Sequence, residues 1–300
     1  MFSVLKKGRN NNLSIQCQLD LFDKMVEPIL LYGSEIWGFS NNIMLERIHL
    51  KFCKILLNLK QTTPDFMIYG ELGRVPLDIK IKTKIITYWT KLISGQGNKI
   101  ASILYKLGYS LFSEHQNKFP WIKHIENVLN ECGLSNIWLS QSFPNEKWLK
   151  SKVNLVLTDQ FKQQWISNIN NSPKSLNYRI YKKELVFENY FNLLSTKDAI
   201  TFCKFRTCNN HLPIEIGRWS NTPRENRVCQ KCSSNDLGDE FHYILNCNFL
   251  QTDRIALLPN RLIRNKNIIS FNAIMSSNKQ TVLRKLCIFI RKINQACPPP

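Results

Sequence analysis

Three hundred residues of 43% hydrophobic composition allow more than one packed domain. Lys and Arg number 41 against 22 Asp and Glu, a net charge of +19 and a pI near 9.6, so the field draws phosphate backbones in a salt-sensitive way. No apolar run reaches the ~18 residues of a membrane span, and the opening MFSVLKKGRNNN has no h-region, so no secretion signal is expected.

Ten cysteines with no regular framework suit a reducing, intracellular compartment, nucleus or cytoplasm, better than a disulfide scaffold. The positive excess is uneven. Residues 248–300 carry nine basic side chains and one acidic one, Asp253, which reads as a basic tail.

Ile15, Leu19, Phe22, Val26 and Ile29 recur at three and four residues and predict an amphipathic helix, with a kink or an early end at Pro28. Leu45, Ile48, Phe52, Leu56 and Leu59 predict a second, with His49 beside the apolar face as a buried, hydrogen-bonded histidine. Ile79–Lys82 alternates like a strand, but Ile81, Ile85, Tyr88 and Leu92 continue at helical spacing, so 78–94 is expected to be helix. Its outward Lys80, Lys84 and Lys91, near Trp89, either meet a phosphate backbone or are solvated over a packed indole.

Further helices are expected around 100–107, 121–132, 146–168 and 189–203. Gly95–Asn98 and Asn170–Pro173 are breakers, the second a domain boundary. Pro298–Pro300 reads as a frayed end. The expected fold is mainly α, in segments 1–60, 61–175 and 176–300.

Cys229, Cys232, His242 and Cys247 form a C-x2-C-x9-H-x4-C array. Four soft ligands at this spacing suit one tetrahedral Zn(2+) ion. The first pair fits a tight turn; His242 and Cys247 fit a short helix and its exit. Asp239 and Glu240 fall where that helix would begin and read as capping residues. Cys-x-x-Cys beside a matching His and Cys favours metal over thiol–disulfide exchange. Cys203, Cys208 and His211 lack a fourth ligand and read as buried thiols and a hydrogen-bonded histidine. Thr63-Pro64-Asp65 lacks the partner carboxylates of a nuclease motif and reads as a turn or helix start. There is no Gly-rich phosphate loop or nucleophile elbow.

Two blocks carry a family resemblance. Pro28-Ile-Leu-Leu-Tyr-Gly-Ser-Glu-Ile-Trp-Gly38, Leu45–Lys54 and Tyr69-Gly-Glu-Leu-Gly-Arg74 form the first. His211-Leu-Pro-Ile-Glu-Ile-Gly-Arg218, Pro223-Arg224, Arg227, the cysteine pair and Asp239-Glu-Phe-His242 form the second. In this order they resemble the region after the reverse-transcriptase palm, and then the cysteine-rich C-terminal region, of LINE-type (non-LTR) retrotransposon polyproteins.

The resemblance implies a thumb-like helical segment (1–60), a helical connector (61–175) and a C-terminal region with a CCHC zinc knuckle (229–247). It also implies a nucleic-acid partner: RNA, single-stranded DNA or the target DNA. Such polyproteins polymerise through paired aspartates, and no Asp-Asp pair occurs here. The expected activity is therefore binding, by a remnant without the palm or by a truncated gene product, and as it stands not an enzyme. The alternative is an inert helical scaffold, or a protein-interaction remnant, with a structural zinc. Arg218, Arg224, Arg227 and Lys231 flank the knuckle and either contact phosphates or pair with Glu215 or Glu225. Trp219 either stacks on an unpaired base or belongs to the core.

Overall fold

Apolar spacing becomes helix along most of the chain in the computed structural model, which describes residues 13–40 and 42–299. The leaderless reading of MFSVLKKGRNNN, and Pro300 of the frayed end, lie outside the described residues. Helix α1 (Ile15–Leu21) is capped by Ser14, which accepts from the Cys17 N–H at 3.2 Å. The expected long first helix is interrupted ahead of Pro28: a π turn spans Phe22–Val26, and Pro28 falls in the first turn of the short segment Glu27–Leu30. Proline is well tolerated there, where its missing N–H has no partner to lose.

Then follow α2 (Ile43–Leu56), α3 (Asp65–Leu72), α4 (Leu77–Ile93), α5 (Lys99–Phe112), α6 (Pro120–Glu131), α7 (Ser135–Ser140) and α8 (Glu146–Asn171). The strand-like start of 78–94 is helix, because Ile81, Ile85 and Trp89 share one buried face. His49 is buried and bonded to Glu46 at 2.8 Å. Pro64 caps α3, so Thr63-Pro64-Asp65 is a helix start, with Lys54 bonded to Asp65 at 2.7 Å. Helix α3 ends at Gly73 (φ +60°), where a Cβ would lie 2.2 Å from the Phe187 nitrogen. Glycine is required there on both grounds.

The single helix expected over 189–203 is two pieces, Tyr190–Leu193 and α9 (Thr196–Arg206). Ser195 caps the second, accepting from the Asp198 N–H. The remaining helices longer than one turn are α10 (Pro213–Trp219), α11 (Gln251–Leu257), α12 (Ile268–Met275) and α13 (Gln280–Ala296). The basic tail is thus folded: Leu283, Leu286, Phe289, Ile290 and Ile293 of α13 are fully buried. Among the described residues there is no β-strand, only isolated bridges at Leu72–Phe187 and Val228–Leu237.

The helices form two compact units that interleave in sequence, so the linear division at 60 and 175 does not follow the packing. Among the described residues, the first unit takes the chain up to Phe22, Leu50–Arg74 and Trp165 onward; the second takes Asp23–His49 and Val75–Gln164.

The second unit has an apolar core. Ile85 and Trp89 of α4, Ile125 and Leu129 of α6, Trp138 of α7 and Leu149 and Val153 of α8 are buried together. Each such side chain contributes about 1.5–3 kcal/mol. The Trp89 indole is packed rather than presented to a ligand, and its Nε1 donates to the Tyr105 hydroxyl at 2.7 Å.

The first unit is built around a buried ion network. Arg206, 1% exposed, donates through Nε and Nη2 to Glu71 at 3.0 and 3.1 Å and through Nη1 to the Met275 carbonyl at 2.7 Å. It also pairs with Glu188 at 3.2 Å. The Tyr190 hydroxyl donates to Glu71 at 2.5 Å, and Lys182 pairs with Glu188. Burial works against the guanidinium charge, but Glu71 and Glu188 outweigh it and hold the Arg206 pKa well above its ordinary value. Phe202, Phe205, Phe271, Phe289 and Trp165 fill the rest of this core.

Candidate metal centre

The C-terminal part of the first unit brings the four array residues to one point. The Arg227 carbonyl accepts from the Gly238 N–H and the Asp236 carbonyl from the Cys229 N–H, both at 2.9 Å, closing a narrow loop. Asn235, at φ +54°, turns its tip. Cys229 and Cys232 lie on this loop. Asp239 caps the next turn as expected, its Oδ1 accepting from the His242 N–H at 2.9 Å. Glu240 does not cap: it is buried and accepts from Asn177 at 2.8 Å and Asn210 at 3.0 Å, tying the site to the rest of the unit. Burial, with Asp239 and Glu215 nearby, pushes its carboxyl up to about 6. A π turn, His242–Asn246, then carries His242 and Cys247 back to the loop.

One ligand atom from each of the four residues lies within 4.8 Å of the others. Cys229 and Cys247 Sγ are 3.9 Å apart, and Cys232 Sγ is 3.4 Å from His242 Nε2. A tetrahedral ion with bonds of about 2.3 Å to sulfur and 2.0 Å to nitrogen sets these edges at about 3.8 and 3.5 Å. The donor set therefore fits a single metal ion. The Lys231 N–H donates to Cys229 Sγ at 3.4 Å, and Cys229 Sγ donates to the Tyr243 hydroxyl at 3.3 Å. His242 Nδ1 lies 3.4 Å from an Asp236 carboxylate oxygen and makes no hydrogen bond among the described residues. In the field of the protein alone, burial and the neighbouring Cys229 push the Cys247 thiol up to about 12. A divalent cation reverses that balance.

Arg254, on α11, braces the site from behind. It is 1% exposed and donates to the carbonyls of Ile244, Cys247 and Tyr243 at 2.8, 2.7 and 3.3 Å. Nothing in a basic C-terminal sequence marks this arginine as different from its solvated neighbours.

The flanking cations divide. Arg218 bonds Glu215 at 2.9 Å and the Pro173 carbonyl at 3.0 Å. Arg227 lies over Gly217, where a Cβ would meet its Cγ at 2.5 Å, and donates to the Thr222 and Ile214 carbonyls. Both guanidinium groups are engaged within the fold. Arg224 and Lys231 are exposed.

Trp219 is 52% exposed, with the Lys60 ammonium 3.8 Å over its ring and the His211 ring 6.0 Å away, edge to face. His211 thus meets an aromatic ring rather than a metal cluster, while Cys203 and Cys208 are buried, Cys208 against the Lys174 carbonyl. Lys60 comes from the loop after α2, pinned by Asn209, which accepts from the Lys60 N–H and the Thr63 hydroxyl at 3.0 and 2.9 Å. Burial and then the fields of Lys174 and Lys204 lower the Lys60 pKa. The carboxylate facing this group, Glu215, is already bonded to Arg218 and 3.6 Å from Lys174. Sequence reasoning found Trp219 but not Lys60, Lys174 or Lys204, because no local pattern links residues so far apart.

Compared with protein-family models, curated proteins and solved structures, the chain matches none.

Proposed function

We propose that this chain binds RNA or single-stranded DNA, as the C-terminal part of a LINE-type reverse-transcriptase protein, and that its metal is zinc. Three thiolates and one imidazole in a closed tetrahedron suit zinc above other first-row ions. The observation that carries the reading is the half-exposed indole of Trp219 with the Lys60 ammonium 3.8 Å over its ring, where the fields of Lys174 and Lys204 reach Lys60. An unpaired base takes the ring face, and Lys60 leaves its surface cation–π contact, worth about 0.5–1 kcal/mol, for a phosphate. Base stacking contributes about 1–3 kcal/mol, so the exchange is favourable. Zinc acts structurally, since a closed site leaves no open position for substrate.

The test is titration of a labelled single-stranded oligonucleotide at several salt concentrations. Trp219→Ala should weaken binding about tenfold and Trp219→Phe much less, while Arg224→Ala should lower the salt slope by about one. Binding indifferent to salt and to Trp219 would leave a scaffold with a structural metal.

A further inference from the structure

The second unit carries a recess that the metal centre and Trp219 do not account for. It has a volume of about 630 Å³ and is lined by Lys80 and Lys84 of α4 and by Lys147, Lys150, Ser151 and Asn154 of α8. A smaller recess of about 190 Å³ continues it, sharing Thr83, Lys84 and Lys150 and adding Lys91. Five ammonium groups from two helices thus border one concave surface.

Their partners are unequally distributed. Lys80 is bonded to Glu27 at 2.6 Å. Lys84 donates to the Leu31 carbonyl at 2.6 Å and lies 3.3 Å from Glu35. The carboxylates that line the recess, Glu27 and Glu35, are therefore already matched to a lysine each. Lys91, Lys147 and Lys150 form no salt bridge among the described residues, although Glu35 feels the charge of Lys91, and all three are exposed. Lys91 sits three turns of α4 beyond Lys80, while Lys147 and Lys150 are one turn apart at the start of α8. The two walls of the recess therefore present excess positive charge. The start of a 26-residue helix adds the positive end of its dipole. Ser151 and Asn154 follow on the same wall and supply uncharged donors.

We infer that this recess holds the phosphodiester backbone of a single-stranded nucleic acid, through Lys91, Lys147 and Lys150. Lysines spaced along a concave wall track a chain of phosphates, each contact releasing a condensed counterion. A lipid surface is flat and would reach the rim of the recess rather than its walls. Lys80 and Lys84, held by Glu27 and Glu35, set the wall in place and take no part in the charge excess.

This inference rests on the proposed nucleic-acid partner but concerns residues of the other unit, so the two fail separately. The full zinc-loaded chain is titrated with a labelled single-stranded oligonucleotide of about 16 nucleotides over a salt series. Lys147→Glu with Lys150→Glu should lower the salt slope by about two and weaken binding about tenfold or more. Lys147→Arg with Lys150→Arg should retain both, and Lys91→Gln should lower the slope by about one. Unchanged slope and affinity in the double Glu variant, with Trp219→Ala still harmful, would overturn the recess and leave the Trp219 surface standing. Loss in the Glu variant with no effect of Trp219→Ala would do the reverse. Lysine-dependent binding to phosphatidylserine vesicles, with oligonucleotide binding unaffected, would also overturn it. These side chains are exposed, and matching thermal melts of the Arg and Glu variants tie any loss to charge rather than folding.

Discussion

The core of the second unit and the 229–247 segment of the first hold their shapes by opposite means. Around Trp89, α4, α6, α7 and α8 bury a large apolar surface with few polar contacts. Such a core tolerates small volume changes at about 0.5–1.5 kcal/mol each. Between Arg227 and Cys247 apolar burial is concentrated in Tyr243, Ile244 and Leu245, and the loop before them is tied by the four side chains that could hold a metal, the Asp239 cap and the Arg254 clamp behind. A segment of this kind fails all at once when one fixed contact is lost. The first region is held by many small contributions, the second by a few large ones.

Metal removal is the largest expected way to break that contrast. The purified chain should hold about one zinc, and a zinc-binding free energy on the order of 10 kcal/mol is then folding energy for the 228–247 segment. Cys247→Ser, or a strong chelator, should release the metal and expose backbone amides of 228–247 to hydrogen exchange, while amides of α4 and α6 stay protected. Full zinc content in the Cys247→Ser protein would show the ligands to be wrong. Equal loss of protection in both regions would show that they do not fold independently.

Arg206 tests the same idea inside the first unit. Replacing it with Met leaves the buried Glu71 without its cation, while the half-buried Glu188 keeps Lys182. Breaking a buried pair from one side costs about 3–5 kcal/mol. Urea unfolding of Arg206→Met should show that loss, with part of it restored by adding Glu71→Gln. A loss under about 1 kcal/mol would mean that the network is incidental to stability.

The contrast also explains what was legible in the sequence. Helical periodicity located α2, α4, α5, α6 and α8 within a few residues, because each has one buried stripe that the pattern records. The ligand array was legible because metal geometry fixes ligand type and spacing together. Charged residues inside the fold were not. Glu71, Arg206 and Arg254 look solvated in sequence and are fully buried. Their partners lie 135 residues away for Arg206 and Glu71, or are backbone carbonyls, which no side-chain pattern reveals. Long sequence separation likewise hid the meeting of Lys60 with Trp219 and the place of Lys91 and Lys150 around one recess. In the tail, α12 and α13 were masked by the local excess of basic residues, although Leu283, Leu286 and Ile290 keep helical spacing.

The smallest expected effect belongs to the second unit and comes from His124 on α6. Its ring is half-buried, and Nε2 is buried without a hydrogen-bond partner among the described residues. Burial, reinforced by Lys82, lowers its pKa below the ordinary 6.5, against weaker opposition from Asp78 and Glu131. The unfolded chain therefore takes up the proton more readily than the folded one. The stability tied to a neutral His124 is fully present above pH 6.5 and drains away as the pH falls below it toward the folded pKa. His124→Gln has no proton to bind in this window. The urea midpoint of the wild type should fall relative to that of the variant between about pH 7 and about pH 5, and Lys82→Gln should reduce the gap by removing part of the shift. Protonation of the metal ligands acts on both proteins alike and cancels in the comparison. Parallel midpoint curves across this range would mean that the imidazole is as well solvated in the fold as in the unfolded chain.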